Sequence, residues 1–132
     1  MKRILILIIL FSNLNLETYS QTQKTNMKEN FSTEIIRYKI PKSEHANFEK
    51  SYEEAGKFLQ TSKFCLGYSI LRGNEEPENY IITIYWTSVN DHMQGFRKSS
   101  EFGPFFKLVR PFYNNIQEMK HYNQTTVNWK RE

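Results

Sequence analysis

The sequence of 132 residues contains one cysteine, Cys65. No disulfide can close within the chain, so burial of side chains must hold the fold together. Cys65 sits among Phe64, Leu66 and Tyr68 and reads as a small buried apolar residue, with no array of positive neighbours to activate its thiol. There are three histidines, His45, His92 and His121. None stands at metal-ligand spacing from another or from the cysteine, so no zinc or iron site is expected. A glycine-rich phosphate loop and a dinucleotide fingerprint are both missing. The 18 Lys and Arg and 14 Asp and Glu residues leave a net charge of +4, but the two signs are interleaved and form no basic stripe, which argues against nucleic acid as a partner. Long apolar runs are scarce too. Ile4–Phe11 is the exception, and its eight residues fall well short of the ~20 needed to span a bilayer.

That run has a different meaning in its setting. Met1-Lys2-Arg3 gives a basic start, and Thr18-Tyr19-Ser20 places small residues before a cut at Gln21. This is the pattern of a secretory signal peptide over residues 1–20. The expected product is an exported chain, periplasmic or secreted, with no stable membrane anchor, since a lipid-anchored form would need a Cys just after the apolar run. Loss of the leader lowers the net charge to +3. Residues 21–32 are polar and read as a flexible lead-in, and residues 123–132 as a polar tail holding a lone Trp129. Between them, residues 33–122 suit one domain with one core.

Within that domain, Thr33–Ile40 reads as a strand ended by Pro41. Phe48, Tyr52, Ala55 and Leu59 are spaced four, three and four, which predicts an amphipathic helix over roughly Glu44–Gln60. Lys63–Arg72 alternates, placing Phe64, Leu66, Tyr68 and Ile70 on one side. Gly73–Pro77 is turn chemistry, so this strand forms a hairpin with Tyr80–Trp86. Ser88 and Asp91 form a capping-box pattern, with the hydroxyl and carboxylate placed to meet the first free amides of a helix. Val89, His92, Met93 and Phe96 then define one inward face of that helix. It weakens at Lys98–Ser100, and a short helix over Glu101–Val109 follows, with Pro104 in its first turn and Pro111 as its stop. Asn115–Tyr122 is the last strand.

The order β-α-β-β-α-β predicts an α+β fold, a ferredoxin-like antiparallel sheet with its helices on one face. Ile35 and Ile36 fall on opposite faces of the first strand, as do Ile84 and Tyr85 on the third. A sheet covered on one side only should be polar on the other. Apolar residues on both faces therefore predict a homodimer through the sheet face; the alternative is that the exposed residues are merely tolerated.

From Thr33 to Tyr122 the sequence resembles the antibiotic biosynthesis monooxygenase superfamily, the dimeric α+β barrel group. The resemblance rests on the element order, Trp86 at the end of the third strand, Asp91-His92 at the helix start, Phe96-Arg97-Lys98-Ser99-Ser100-Glu101-Phe102, and Glu118-Met119-Lys120-His121-Tyr122. It implies two ferredoxin-like protomers packed sheet to sheet, each with an apolar pocket between sheet and helices. It also implies cofactor-free oxygenation of quinol-like or phenolic small molecules. The haem-degrading branch carries a Trp in the second helix and an iron-binding His one or two turns later. The matching positions are Phe96 and Phe106, which cannot ligate iron, so no cofactor is expected.

Oxygenation without a cofactor needs a base, an apolar cavity and something to steady an anion. His92 is the candidate base, kept neutral in the first helical turn by the helix dipole; the alternative is a polar filler bonded to backbone. Arg97 is the candidate anion holder, or else a solvated charge. Tyr68 and Trp86 are candidates to wall an aromatic substrate, Trp86 alternatively being ordinary core. Phe96 and Phe106, with Phe102 and Phe105, line or plug the space between helices and sheet. A dimeric barrel that binds a small apolar ligand without catalysis is the second reading.

Overall fold

The computed structural model describes residues 31–131; the expected signal peptide and most of the lead-in lie outside them. The elements are β1 (Ser32–Lys39), α1 (His45–Thr61), β2 (Cys65–Arg72), β3 (Asn79–Trp86), a π turn (Asp91–Gly95) continued by a 3-10 turn (Phe96–Lys98), α2 (Phe102–Val109), a further 3-10 segment (Arg110–Asn115) and β4 (Ile116–Asn123). The strands form one sheet in the order β2-β3-β1-β4, with every neighbouring pair antiparallel. This is the ferredoxin-like arrangement that the element order predicts.

Strand parity decides which side of the sheet is covered. Ile36 and Tyr38 of β1 and Tyr80, Ile82, Ile84 and Trp86 of β3 are buried. Phe48, Tyr52, Ala55 and Leu59 of α1 are fully buried in the same cluster, as their spacing predicts. Phe105 and Val109 of α2 and Phe112 beyond it complete the core. The Tyr38 and Tyr52 hydroxyls meet at 2.7 Å, which satisfies both polar groups inside an otherwise apolar layer. Burial pushes Tyr38 up to about 12 and raises Tyr52 as well.

The opposite parity faces away from the helices. Tyr85, Leu71 and Tyr122 are exposed there, while Ile35 and Ile81 are half-buried. The sheet is open, with β2 and β4 at its edges, so one chain cannot close a barrel.

Two local expectations are corrected. The alternation of β2 is interrupted, because Cys65 pairs with Trp86 and Gly67 with Tyr85. The intervening bulge turns Leu66 out, 59% exposed, instead of inward beside Tyr68. The segment after β3 is a π turn and a 3-10 turn instead of a regular helix, so Val89 is exposed and only His92 and Phe96 of the predicted face are buried. The short helix ends at Val109, just before Pro111 as expected, and Pro111 lies in the first turn of the 3-10 segment that leads to β4, where its missing N–H costs nothing. The hairpin between β2 and β3 closes where the Gly73 amide donates to the Asn79 carbonyl at 2.8 Å. The Glu76 carbonyl lies where a Cβ on Gly73 would be, so only glycine fits this turn.

Candidate functional site

Glu34, Trp86, His92, Arg97 and His121 come together at one end of the sheet. Glu34 has the parity of Ile36 and Tyr38 on β1, so its carboxylate is drawn inside the fold and is 2% exposed. In the strand pairing Glu34 faces Ile84 on one side and His121 on the other, which places His121 of β4 on the helix-covered face. The π turn delivers His92. Ser88 Oγ accepts the Asp91 amide at 2.9 Å, while the Asp91 carboxylate accepts the Thr87 hydroxyl at 2.7 Å; half of the expected capping box forms. The Phe96 amide donates to both the Asp91 and the His92 carbonyls, the bond to Asp91 being the wide i→i−5 step of a π turn. His92 then lies flat against Trp86, with ring centroids 4.3 Å apart and planes within 1°.

The hydrogen bonds assign the protons. Arg97 Nε donates to His92 Nε2 at 3.3 Å, so that nitrogen carries the lone pair. His92 therefore holds its proton on Nδ1 and donates it to His121 Nε2 at 2.8 Å. Glu34 Oε2 lies 3.7 Å from the same Nδ1 and accepts the Trp86 indole N–H at 3.0 Å. Burial is the main influence on all three titratable side chains. Burial, then the charges of Arg97 and His121, lower His92 to about 3. Burial and Arg97 also lower His121. Burial raises Glu34, against the indole hydrogen bond and the attraction of Arg97. The result is a buried carboxylate, two neutral imidazoles in a chain, and one exposed guanidinium at the end of it.

The family model for antibiotic biosynthesis monooxygenases matches residues 32–108. The chain belongs to this family. Among curated proteins, YczJ of Bacillus subtilis, which is uncharacterised, is 28% identical over 75 residues, 57% of this chain and 79% of YczJ. Among solved structures, a proposed antibiotic biosynthesis monooxygenase of Bordetella bronchiseptica is 24% identical, with a TM-score of 0.61 over 74% of this chain and 99% of that one. A conserved protein of Methanosarcina mazei superposes with a TM-score of 0.65 at 14% identity, over 76% of this chain and 99% of that one. SnoaB of Streptomyces nogalater, a cofactor-independent oxygenase, is 18% identical with a TM-score of 0.57, over 78% of this chain and 99% of its own. These structures share the monooxygenase family's fold with this chain.

Of the residues singled out in the sequence, His92, Arg97, Trp86 and Phe96 are neighbours. Phe96 lies 5.0 Å from Trp86 between ring centroids and packs edge-on to Phe102 and Phe105. Phe106 stacks on Phe102 at 5.5 Å, outside the hydrogen-bonded group. Tyr68 stands apart: its hydroxyl accepts from Gln60 Nε2 at 3.1 Å, occupying the space over Gly56 of α1. It lines a shallow depression with Leu59, Gln60 and Leu66. Neither this depression nor that around Pro41, Asn47 and Pro111 includes His92. Between helices and sheet, buried phenylalanines fill the space around the core. Two members of the site, Glu34 and His121, are absent from the candidates named in the sequence. Strand parity alone points to Glu34, since an acid in register with Ile36 and Tyr38 faces the core. His121 emerges only from the pairing of β1 with β4.

Proposed function

We propose that this family member is a cofactor-independent oxygenase of quinol-like or phenolic small molecules, exported and working as a homodimer through the open sheet face. The single observation that carries the reading is the orientation of His92. Its Nδ1 proton is held by His121 with the Glu34 carboxylate close by, and its Nε2 accepts from Arg97, its one hydrogen-bond partner among the described residues. A base fixed at one nitrogen and backed by a carboxylate is the arrangement that proton abstraction needs.

In the resting state the guanidinium caps the base and helps to keep its affinity for protons low. A phenolic substrate draws Arg97 onto its oxygen and takes the place of Arg97 at Nε2. One influence that lowers the His92 pKa is thereby relieved at the moment a proton must be accepted. The imidazolium that forms donates its Nδ1 proton to His121 and is stabilised by Glu34. The phenolate, held by Arg97, supplies electrons to dioxygen. One oxygen atom remains on the substrate carbon as a carbonyl, and the other leaves as water with the hydrogens of the substrate.

The test is oxygen uptake by the purified chain with a panel of hydroquinones and naphthols, alongside His92→Ala and Arg97→Ala. Uptake above the autoxidation blank that collapses in His92→Ala supports the reading. Equal uptake by wild type and His92→Ala removes His92 from the centre of the reaction. One observation favours a second reading, a ligand-binding barrel without catalysis: aromatic side chains fill the space between sheet and helices. No uptake by any of the proteins, together with tight binding of the same compounds, would favour that reading.

A further inference from the structure

We propose that Glu34, His92 and His121 form a binding site for a divalent first-row transition-metal ion, and that Arg97 is the cation competing with it. One ligand atom from each of the three residues lies within 4.8 Å of the other two. His92 Nδ1 and His121 Nε2 are 2.8 Å apart, and Glu34 Oε2 is 3.7 Å from His92 Nδ1. An ion about 2.1 Å from each ligand holds neighbouring ligand atoms roughly 3.0 to 3.4 Å apart, from octahedral to tetrahedral geometry. The two distances at His92 lie within a few tenths of an ångström of that range, while the Glu34–His121 separation, no more than 4.8 Å, closes as the carboxylate draws in around the ion. The donors come from β1, the π turn and β4, which fixes them from three directions. Two imidazoles with one carboxylate suit zinc, cobalt, copper or iron in the divalent state and give magnesium and calcium little. The Trp86 indole N–H already holds the carboxylate as an outer partner of a metal ligand would.

The position of Arg97 gives the proposal its particular form. An ion on His92 Nδ1 moves the imidazole proton to Nε2, where Arg97 Nε–H now points, and two donors cannot face each other there. The guanidinium must swing away as the metal enters. It can do so readily: the residue is exposed, and no carboxylate among the described residues pairs with it directly. Its other hydrogen-bond partner among the described residues is Met119 Sδ at 4.0 Å. Arg97 makes no ion pair with the buried carboxylate, whereas a bound ion would neutralise it directly, so the competition between the two cations is for His92. Metal uptake and use of His92 as a base therefore exclude one another, and the metal site stands whether or not the chain is an oxygenase.

The test is titration of the purified, untagged, metal-free chain with Co(II), read by its visible absorption bands, and with Zn(II), read by calorimetry. The expected result is one ion per chain with nitrogen-and-oxygen cobalt bands. Affinity should fall at least about tenfold in His121→Ala and in Glu34→Gln and rise severalfold in Arg97→Gln, with circular dichroism showing each variant folded. An absence of uptake by wild type would overturn the site. So would equal affinity in His121→Ala, which would mark binding elsewhere on the chain. Weaker binding in Arg97→Gln would overturn the role given to Arg97.

Discussion

Replacing Trp86 by Phe tests how the buried carboxylate is held. The substitution removes the indole N–H that Glu34 accepts at 3.0 Å, and a bond to a charged acceptor inside a protein contributes roughly 1.5 to 3 kcal/mol. It also shrinks a side chain that is 1% exposed, which adds about 1 to 2 kcal/mol for lost contacts and the space left behind. The expected cost is therefore roughly 2.5 to 5 kcal/mol. In a Glu34→Gln background the indole still meets an oxygen, but the bond is between neutral groups and contributes about 0.5 to 1.5 kcal/mol. Trp86→Phe should then cost about 1 to 1.5 kcal/mol less than in the wild-type background. Urea unfolding of the four proteins, followed by far-ultraviolet circular dichroism at one protein concentration, measures that coupling. Equal costs in the two backgrounds, within about 0.4 kcal/mol, would refute the claim that Trp86 stabilises Glu34 as an anion.

Acid should weaken the metal-free fold through His92. Its pKa is lowered to about 3, so the unfolded chain binds a proton here before the native chain does. The contribution is complete above about 6.5, fades as pH falls toward 3, and changes by at most about 1.4 kcal/mol per pH unit. Glu34, raised by burial, works in the opposite sense, its contribution declining as pH rises through its own range. His92→Gln should flatten the decline of urea midpoints between pH 6.5 and 5, and an unchanged slope would count against the assignment. Phe96→Ala, at a site 1% exposed, should cost about 3 to 5 kcal/mol; a loss below about 1 kcal/mol would show that the aromatic filling is loose. Gly56→Ala should gain nothing despite better helix propensity, because the Tyr68 ring occupies the space. In a Tyr68→Ala background the same change should stabilise by about 1 kcal/mol, which thermal unfolding would detect. Tyr85→Lys with Leu71→Lys on the open face should halve the mass seen by sedimentation if two chains meet there, and an unaltered mass would place any dimer elsewhere.

The sheet was legible because its signals are local and periodic. Ile35 and Ile36, then Ile84 and Tyr85, mark strands with two apolar faces, and Phe48, Tyr52, Ala55 and Leu59 mark a helix. The bulge at Leu66 and the π turn at Asp91–Gly95 were not legible. Each inserts a residue without changing composition, and only the pairing partner or the accepted carbonyl reveals it. The same physics divides the site. Trp86, His92 and Arg97 lie close together in the chain, whereas Glu34 and His121 are 58 residues before and 29 residues after His92. Their meeting is a matter of strand register. Two histidines without ligand spacing in sequence thus stand at ligand distance in the fold.

The π turn makes the length of one loop decisive for everything attached to it. Each residue of a regular helix advances by about 100°, so deleting Met93 and restoring α geometry would turn Arg97 through roughly that angle relative to His92. The chemistry of every side chain would be unchanged, yet the guanidinium would point elsewhere. The connection of Arg97 to the buried pair is thus a property of chain length, open to gain or loss by a single codon. Relatives with the same histidines and arginine but a turn one residue shorter would keep the fold without that wiring.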